Sequence, residues 1–282
     1  MYLFVNFPKK NYLGHKMNIY IPVYRMNISV YIVHYTKLIE RKKYLVETFK
    51  KLGIHNFKFF EEDDREDLTN EQLKKYSYSE NSWKSQLLEP RKLVRAEISC
   101  AIKHCNIYKY ILENNVQNSL ILEDDAIINP NFEEYINKIL EQLNETNYHA
   151  CFIDNSMKWT IDNNPFINYK IYPDNYIYKF ASGKCACAYI LSYEGAKLLH
   201  ENMIPFSLPL DFMHNSIFQN NNMNIYWSHP SIITHGSQKS QKSPESHESK
   251  EDYKSSMINR CGSEYIDYRE SIILNPITKS EI

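Results

Sequence analysis

The chain has 282 residues, of which 43% are hydrophobic and 24% are charged, and its formal net charge is −1. This balance is ordinary for a soluble globular protein and supplies enough apolar material for a sizeable core. The near-zero charge gives no electrostatic footprint for nucleic acid. No apolar run approaches the roughly 20 residues that span a bilayer, so no transmembrane segment is predicted.

The first 26 residues show no clear period and are expected to form an N-terminal extension. Their short apolar run is followed by lysines rather than preceded by them, which is not typical of a signal peptide. None of the six cysteines forms a Cys-x-x-Cys pair, so a zinc ribbon is not indicated. Reduced, buried thiols fit a cytoplasmic location, which is the one we expect.

A β-α-β unit opens the patterned part of the chain. Residues 28–33 are β-branched and aromatic and predict a first core strand. An amphipathic helix is predicted over 38–52 with Gly53 after its end, and a second strand over 57–60. Such a unit predicts a parallel strand pair. Arg41, at the strand–helix junction, either pairs with a phosphate or belongs to the solvated face of the helix, and the pattern favours the second.

The next segment leads to the clearest helix. Residues 64–93 are polar and predict a long loop with a helical piece. Residues 93–113 predict a helix with one buried stripe. Glu97 and His104 are seven positions apart and therefore flank that stripe on the same side. They either face a functional site or act as a capping acid and a satisfied core histidine, and the pattern leaves both open.

Three acids end a short buried strand near the middle of the chain. The apolar run 120–122 is followed directly by Glu123, Asp124 and Asp125. Adjacent carboxylates repel one another, and ligands of open α/β sheets bind at the strand carboxyl ends. Oxygen ligands at this position suit a hard cation such as Mg²⁺ or Mn²⁺, which would hold a substrate's phosphates. The alternative is a solvated acidic turn.

The rest of the chain continues the alternation of helices and strands. Helices are predicted over 131–143 and over 212–219. A third is predicted to begin after Ser192, which would be its N-cap. Strands are predicted over 150–154, 177–180, 185–191 and 223–227, and a closing segment over 230–235. We expect one domain over 27–236, followed at 237–282 by a polar mobile segment and a C-terminal tail.

Together these segments resemble glycosyltransferase family 25, the lipooligosaccharide and procollagen galactosyltransferase type. The matching pieces are Val30–Val33 followed by Arg41, Glu97–Cys100 with His104, Leu120–Asp125, Ala188–Ser192 with Gly195–Ala196, Pro209–Phe212 and Pro230–Ile232. The resemblance covers about 28–236 and implies an α/β, GT-A-like fold, a Rossmann-like mixed sheet flanked by helices. Ser99, Lys103 and His34 depart from the family pattern, which usually has glycine, serine and asparagine there.

The resemblance implies a metal-assisted, inverting transfer of galactose or glucose from a UDP-sugar to a glycan, glycolipid or glycoprotein. Asp125 and Asp124 would hold Mn²⁺ or Mg²⁺ with His235, or less favourably His229. The residues that would bind the nucleotide sugar are Val33, His34, Arg41, Glu97, His104, Glu123 and Asp124. A homodimer is left open.

Asp211 is the candidate general base of this reaction, with Asp154 in reserve, and the alternative for Asp211 is a plain helix N-cap. Two other functions are kept beside the transferase. One is a catalytically degenerate GT-A-like domain that only binds a nucleotide or a glycan. The other is a nucleotidyltransferase, which ranks last because the chain has six glycines and lacks a glycine-rich basic loop.

Overall fold

The computed structural model describes residues 28–77, 93–156, 160–162 and 170–236. The predicted N-terminal extension and the predicted segment and tail at 237–282 therefore lie outside the described residues.

Within these ranges the chain forms nine strands and six helices. The strands are β1 (Ser29–Val33), β2 (Phe57–Phe60), β3 (Asn118–Glu123), β4 (Ala126–Ile128), β5 (Ala150–Phe152), β6 (Ile177–Phe180), β7 (Ala188–Ser192), β8 (Ile225–Ser228) and β9 (Ile233–His235). The helices are α1 (Ile39–Lys51), α2 (Asn70–Tyr76), α3 (Arg95–Glu113), α4 (Phe132–Asn144), α5 (Tyr193–Asn202) and α6 (Leu210–Asn220). Of the helices in the described ranges, none combines the length and the apolar character needed to cross a bilayer.

Seven of these strands form one mixed sheet in the order β2-β1-β3-β7-β5-β8-β6. Strands β2, β1 and β3 are parallel, whereas β7 runs antiparallel to both β3 and β5. The predicted parallel pairing of the first two strands is confirmed. The short strands β4 and β9 pair separately, antiparallel to each other. The predicted fold class, an α/β mixed sheet flanked by helices, is confirmed.

Both faces of the sheet are buried, as β3 shows. Leu120 and Leu122 pack with Phe49 of α1 and Ile136 of α4 on one face. Ile121, between them, packs on the other face with residues of α3, α5 and α6. Because successive strand residues point to opposite faces, an unbroken apolar run is what a strand covered on both sides requires.

Several predicted boundaries move. The helix predicted over 212–219 begins two residues earlier with Pro209 as its N-cap, so the N-cap interpretation of Asp211 is wrong. No strand forms over 185–187, and β7 begins at Ala188. The predicted N-cap of α5 is confirmed, because the Ser192 hydroxyl accepts a hydrogen bond from the Gly195 amide at 3.0 Å.

Candidate functional site

A pocket lies at the carboxyl ends of the parallel strands β1 and β3. Val33 and His34 form one wall, and the acids Glu123 to Asp125 form another. Residues of α3, including Ser99 and Cys100, close it from the side. The pocket therefore lies at the strand carboxyl ends, where the fold class predicts a ligand.

Asp124, in the middle of the acidic triplet, is committed to contacts within the protein. Its Oδ1 accepts a hydrogen bond from the Arg41 guanidinium at 2.8 Å. Its Oδ2 is 2.9 Å from His34 Nδ1 and accepts from the Tyr35 amide at 3.0 Å. Burial alone would raise the pKa of Asp124, but Arg41 and His34 outweigh it and hold the pKa below its usual range. Asp124 thus fixes the end of β1 against the end of β3.

Arg41 is not on a solvated helix face, and that interpretation is wrong. Its side chain is only 2% exposed and forms a buried ion pair with Asp124. The two residues are 83 positions apart, so no local pattern could show the pairing. Arg41 still lines the pocket, so a role in holding a phosphate remains a prediction.

Ser99, Lys103 and His34, the three residues that depart from the family pattern, each make a hydrogen bond within the protein. Lys103 is buried, pairs with Asp64, and donates a hydrogen bond to the His34 carbonyl at 2.5 Å. The Ser99 hydroxyl donates to the Asp63 carbonyl at 2.6 Å. The Ser99 contact and the Lys103–Asp64 pair tie α3 to the loop that follows β2, and the Lys103 contact with His34 ties it to the end of β1. His34 itself is buried and faces Asp124, as described above.

Asp125 meets the residue predicted as its partner. Strand β9 pairs with β4, placing Ala126 opposite His235. As a result Asp125 Oδ2 lies 3.3 Å from His235 Nε2. Burial lowers the pKa of His235, but the Asp125 carboxylate outweighs it and raises the pKa to about 9.

The chemistry of this pair fits a divalent cation. The donor atoms of Asp125, His235 and Cys187 lie within 4.8 Å of one another. Carboxylate oxygen and imidazole nitrogen are suitable ligands for Mn²⁺, and the carboxylate also for Mg²⁺. Cys187, whose Sγ is 3.8 Å from Asp125 Oδ1, carried no sequence signal for this role. His229 lies elsewhere, 3.8 Å from Asp162.

Glu123 lies beside the same pair with a different environment. Burial, and then the charge of Asp125, raise its pKa to about 7. Its Oε1 is 3.5 Å from Cys100 Sγ and 3.7 Å from His104 Nε2. The acidic triplet is therefore no solvated turn, because Asp124 and Asp125 are buried and Glu123 is partly buried.

Glu97 and His104, which the sequence left open, have different roles in the structure. The Glu97 carboxylate accepts from the Val94 amide at 2.8 Å at the start of α3, so it is a capping acid. His104 is fully buried, and its Nδ1 is 2.8 Å from the Tyr189 hydroxyl. Its second nitrogen faces Glu123. His104 therefore lies in the core and also borders the acidic cluster.

The two candidate bases differ in burial. Asp211 lies in the first turn of α6 and is partly buried. Burial raises its pKa, and the charges of Glu123 and Glu97 raise it further. Asp154 is fully buried, and its carboxylate accepts hydrogen bonds from the Ser156 amide and hydroxyl and the Ala188 amide.

A family model described as "Glycosyltransferase family 25 (LPS biosynthesis protein)" matches residues 27–214. Two relatives named "Glycosyltransferase 25 family member", from Aedes aegypti and Anopheles gambiae, are each 22% identical over 216 and 211 residues. These matches cover 73% and 74% of this chain but 33% and 35% of the relatives, so the chain spans about a third of their length. A glycosyltransferase "involved in the glycosylation of the major capsid of PBCV-1" is a structural neighbour at 14% identity, with a TM-score of 0.41, over 76% of this chain and 94% of its own.

Proposed function

The chain belongs to glycosyltransferase family 25, and from that premise we propose that it moves a hexose, galactose or glucose, from a UDP-sugar to a hydroxyl of a glycan, glycolipid or glycoprotein. The observation that carries the proposal is the Asp125–His235 pair beside Glu123, at the edge of the pocket that ends the parallel strands. Two carboxylates crowded at this position leave a negative charge that a divalent cation would neutralise.

Asp125 and His235 would hold Mn²⁺ or Mg²⁺. Bound there, the ion would neutralise charge that develops on the departing diphosphate. His235 has a pKa of about 9, so it carries a proton at neutral pH and would release it on binding the ion. Asp124 is assigned a positioning role instead, because its oxygens already accept from Arg41 and from the Tyr35 amide and contact His34.

The nucleotide would lie against the end of β1. Val33 and His34 end this strand at the pocket wall, and Arg41 and Arg65 add two guanidinium groups to the same lining. Guanidinium groups match the geometry of phosphate oxygens. Of these two, Arg65 is the more accessible at the mouth of the pocket, while Arg41 is held by Asp124.

Asp211 is our choice of general base. An inverting transfer needs a carboxylate that removes the proton of the acceptor hydroxyl as the sugar moves. Asp211 is partly exposed and its raised pKa makes it a stronger base than an ordinary aspartate. Asp154 is fully enclosed and already accepts three hydrogen bonds, so it serves better as a structural acid.

The five cysteines among the described residues are free, which supports a cytoplasmic location for this activity. A homodimer stays a prediction.

Release of free UDP from UDP-galactose and UDP-glucose, with an added acceptor mixture and Mn²⁺, tests the proposal. We expect release from one donor, a loss of about a hundredfold or more in Asp211→Asn, as for other catalytic acid–base groups, and no activity without the metal. Glu194→Gln is the matched control, because Glu194 also lies in the first turn of a helix, α5. Binding of a nucleotide sugar without any UDP release would indicate a catalytically degenerate domain instead.

A further inference from the structure

Three donor atoms of different chemistry converge where α3 passes the end of β3. Glu123 Oε1 is 3.5 Å from Cys100 Sγ and 3.7 Å from His104 Nε2, and all three donors lie within 4.8 Å of one another. Around a tetrahedral zinc ion with ligand bonds of about 2.0–2.3 Å, neighbouring donors are about 3.3–3.8 Å apart. The two distances from Glu123 Oε1, 3.5 and 3.7 Å, fall within that range.

One of these atoms lacks a hydrogen-bond partner. His104 is fully buried, and its Nε2 has no such partner among the described residues. Leaving a buried polar atom unsatisfied is costly, so such an atom calls for an explanation. Burial also lowers the pKa of His104 to about 3, which keeps the ring neutral and one nitrogen lone pair available.

A hydrogen-bonded chain holds the ring in place from the other side. His104 Nδ1 is 2.8 Å from the Tyr189 hydroxyl, which is 2.7 Å from the Tyr108 hydroxyl. Tyr108 in turn is 2.8 Å from His214 Nε2. When His104 Nδ1 donates to the Tyr189 hydroxyl, that hydroxyl donates to Tyr108, and the Tyr108 hydroxyl donates to His214 Nε2. That arrangement leaves the Nε2 lone pair of His104 facing Cys100 and Glu123, as in metal sites whose histidines are oriented by outer partners.

We propose that Cys100, His104 and Glu123 form a binding site for a thiophilic divalent cation of the Zn²⁺ class. Cys100 and His104 are four residues apart and share one face of α3. Sulfur and imidazole ligands favour Zn²⁺ over Mg²⁺ and Mn²⁺. The fourth position faces the pocket, because Cys100 and Glu123 line it. As the Sγ–metal bond forms, the Sγ–H bond breaks and the proton passes to solvent water.

This site takes its three donor atoms from residues outside the Asp125–Cys187–His235 group, although the Glu123 carboxylate lies beside both groups. It also does not depend on whether the protein transfers a sugar, since it is defined by donor atoms and not by a substrate. The two groups differ in their histidine. His235 is held beside a carboxylate that raises its pKa to about 9, whereas His104 is neutral.

Titration of the metal-free protein with Co²⁺, the spectroscopic substitute for Zn²⁺, tests the proposal directly. We expect a thiolate-to-cobalt charge-transfer band that one equivalent of Zn²⁺ abolishes. The band should disappear in Cys100→Ala and in His104→Gln but persist in Cys187→Ala, which alters only the other group. Cys185→Ser is a matched control, because Cys185 is also a partly buried thiol.

Two outcomes would overturn the proposal: no charge-transfer band in the unmodified protein, or a band that disappears with Cys187 and not with Cys100. A measurement without variants guards against misfolding. Zn²⁺ should slow alkylation of Cys100 by iodoacetamide at least tenfold, read at that residue by mass spectrometry, and leave alkylation of Cys185 unchanged. Equal rates at Cys100 with and without Zn²⁺ would also refute the site.

Discussion

Two clusters of buried charge lie side by side at the end of the parallel strands, and they are balanced differently. In the β1 cluster (His34, Arg41, Asp64, Lys103 and Asp124), Arg41 pairs with Asp124 and Lys103 pairs with Asp64. In the β3 cluster (Glu123, Asp125 and His235), two carboxylates share one imidazole.

The pKa values show the difference. The Arg41 guanidinium and the hydrogen bond with His34 hold the pKa of Asp124 below its usual range despite burial, whereas burial and Asp125 raise the pKa of Glu123 to about 7. The charges of the β1 cluster are therefore balanced by partners that the chain supplies itself. The β3 cluster carries an excess of carboxylate, which is the property expected of a cation site.

The largest effect should follow from breaking the β1 cluster. Asp124→Ala leaves the Arg41 guanidinium buried, and arginine cannot lose its proton to escape that cost. The free energy of unfolding should fall by about 3–5 kcal/mol. Urea unfolding followed by circular dichroism measures it, and a loss below about 1 kcal/mol would show that the pair is not needed to hold β1 against β3.

The β3 cluster should give the protein a pH dependence on the alkaline side. The pKa of His235 is raised from 6.5 to about 9, so the folded state binds its proton more tightly than the unfolded state. Its contribution is fully present below pH 6.5 and is lost as pH rises through about 9. Glu123, raised from 4.5 to about 7, acts in the same direction at lower pH.

The expected fall in the free energy of unfolding across the His235 range is about 3 kcal/mol. Urea unfolding at a series of pH values measures it. The slope between about pH 7 and 9 should disappear in His235→Gln, while the slope that Glu123 gives at lower pH remains. An unchanged slope above pH 7 in that variant would assign the effect to other groups.

Asp125→Asn should destabilise less than Asp124→Ala. The partner it leaves behind, His235, can lose its proton and become neutral, so the expected cost is about 1–3 kcal/mol at neutral pH. The same variant should lose the stabilisation that Mn²⁺ gives, seen as a metal-dependent rise in melting temperature. Equal destabilisation by Asp124→Ala and Asp125→Asn would remove the distinction between the two clusters.

The smallest effect should come from a pair at the rim of the β1 cluster. Lys42 contacts Glu61 at 2.8 Å, but their side chains are 40% and 35% exposed. Exposed pairs contribute only about 0.2–1 kcal/mol, so Lys42→Ala should shift the urea midpoint slightly. If Lys42→Ala lowered the free energy of unfolding as much as Asp124→Ala, burial would not explain the difference between the Lys42–Glu61 and Arg41–Asp124 pairs.

The sequence predicted the elements whose patterns are local. The β-α-β unit, helix α3 and the acidic end of β3 all follow from apolar periodicity and from cap residues such as Gly53, which adopts the left-handed conformation with φ +66. Helix α6 begins earlier than predicted because the Pro209 carbonyl already accepts the first helical hydrogen bond, from the Met213 amide at 2.9 Å.

Long-range partners could not be predicted in this way. From sequence alone, Arg41 and Lys103 look like solvated helix residues. Only the structure shows that Arg41 faces Asp124 and that Lys103 faces Asp64. Cys187 became a neighbour of Asp125 only through the order of the sheet strands. For the Cys100–His104–Glu123 site, the local signal in the sequence is that Cys100 and His104 are four residues apart on one predicted helix.

The decisive measurement for the proposed metal site at Asp125 and His235 is isothermal titration of UDP into the protein, with and without Mn²⁺. We expect Mn²⁺ to tighten UDP binding at least tenfold in the unmodified protein, and Asp125→Asn to abolish this gain without abolishing the fold. If Mn²⁺ leaves UDP binding unchanged, or if Asp125→Asn keeps the full gain, the β3 cluster is not the metal site of a nucleotide-sugar transferase.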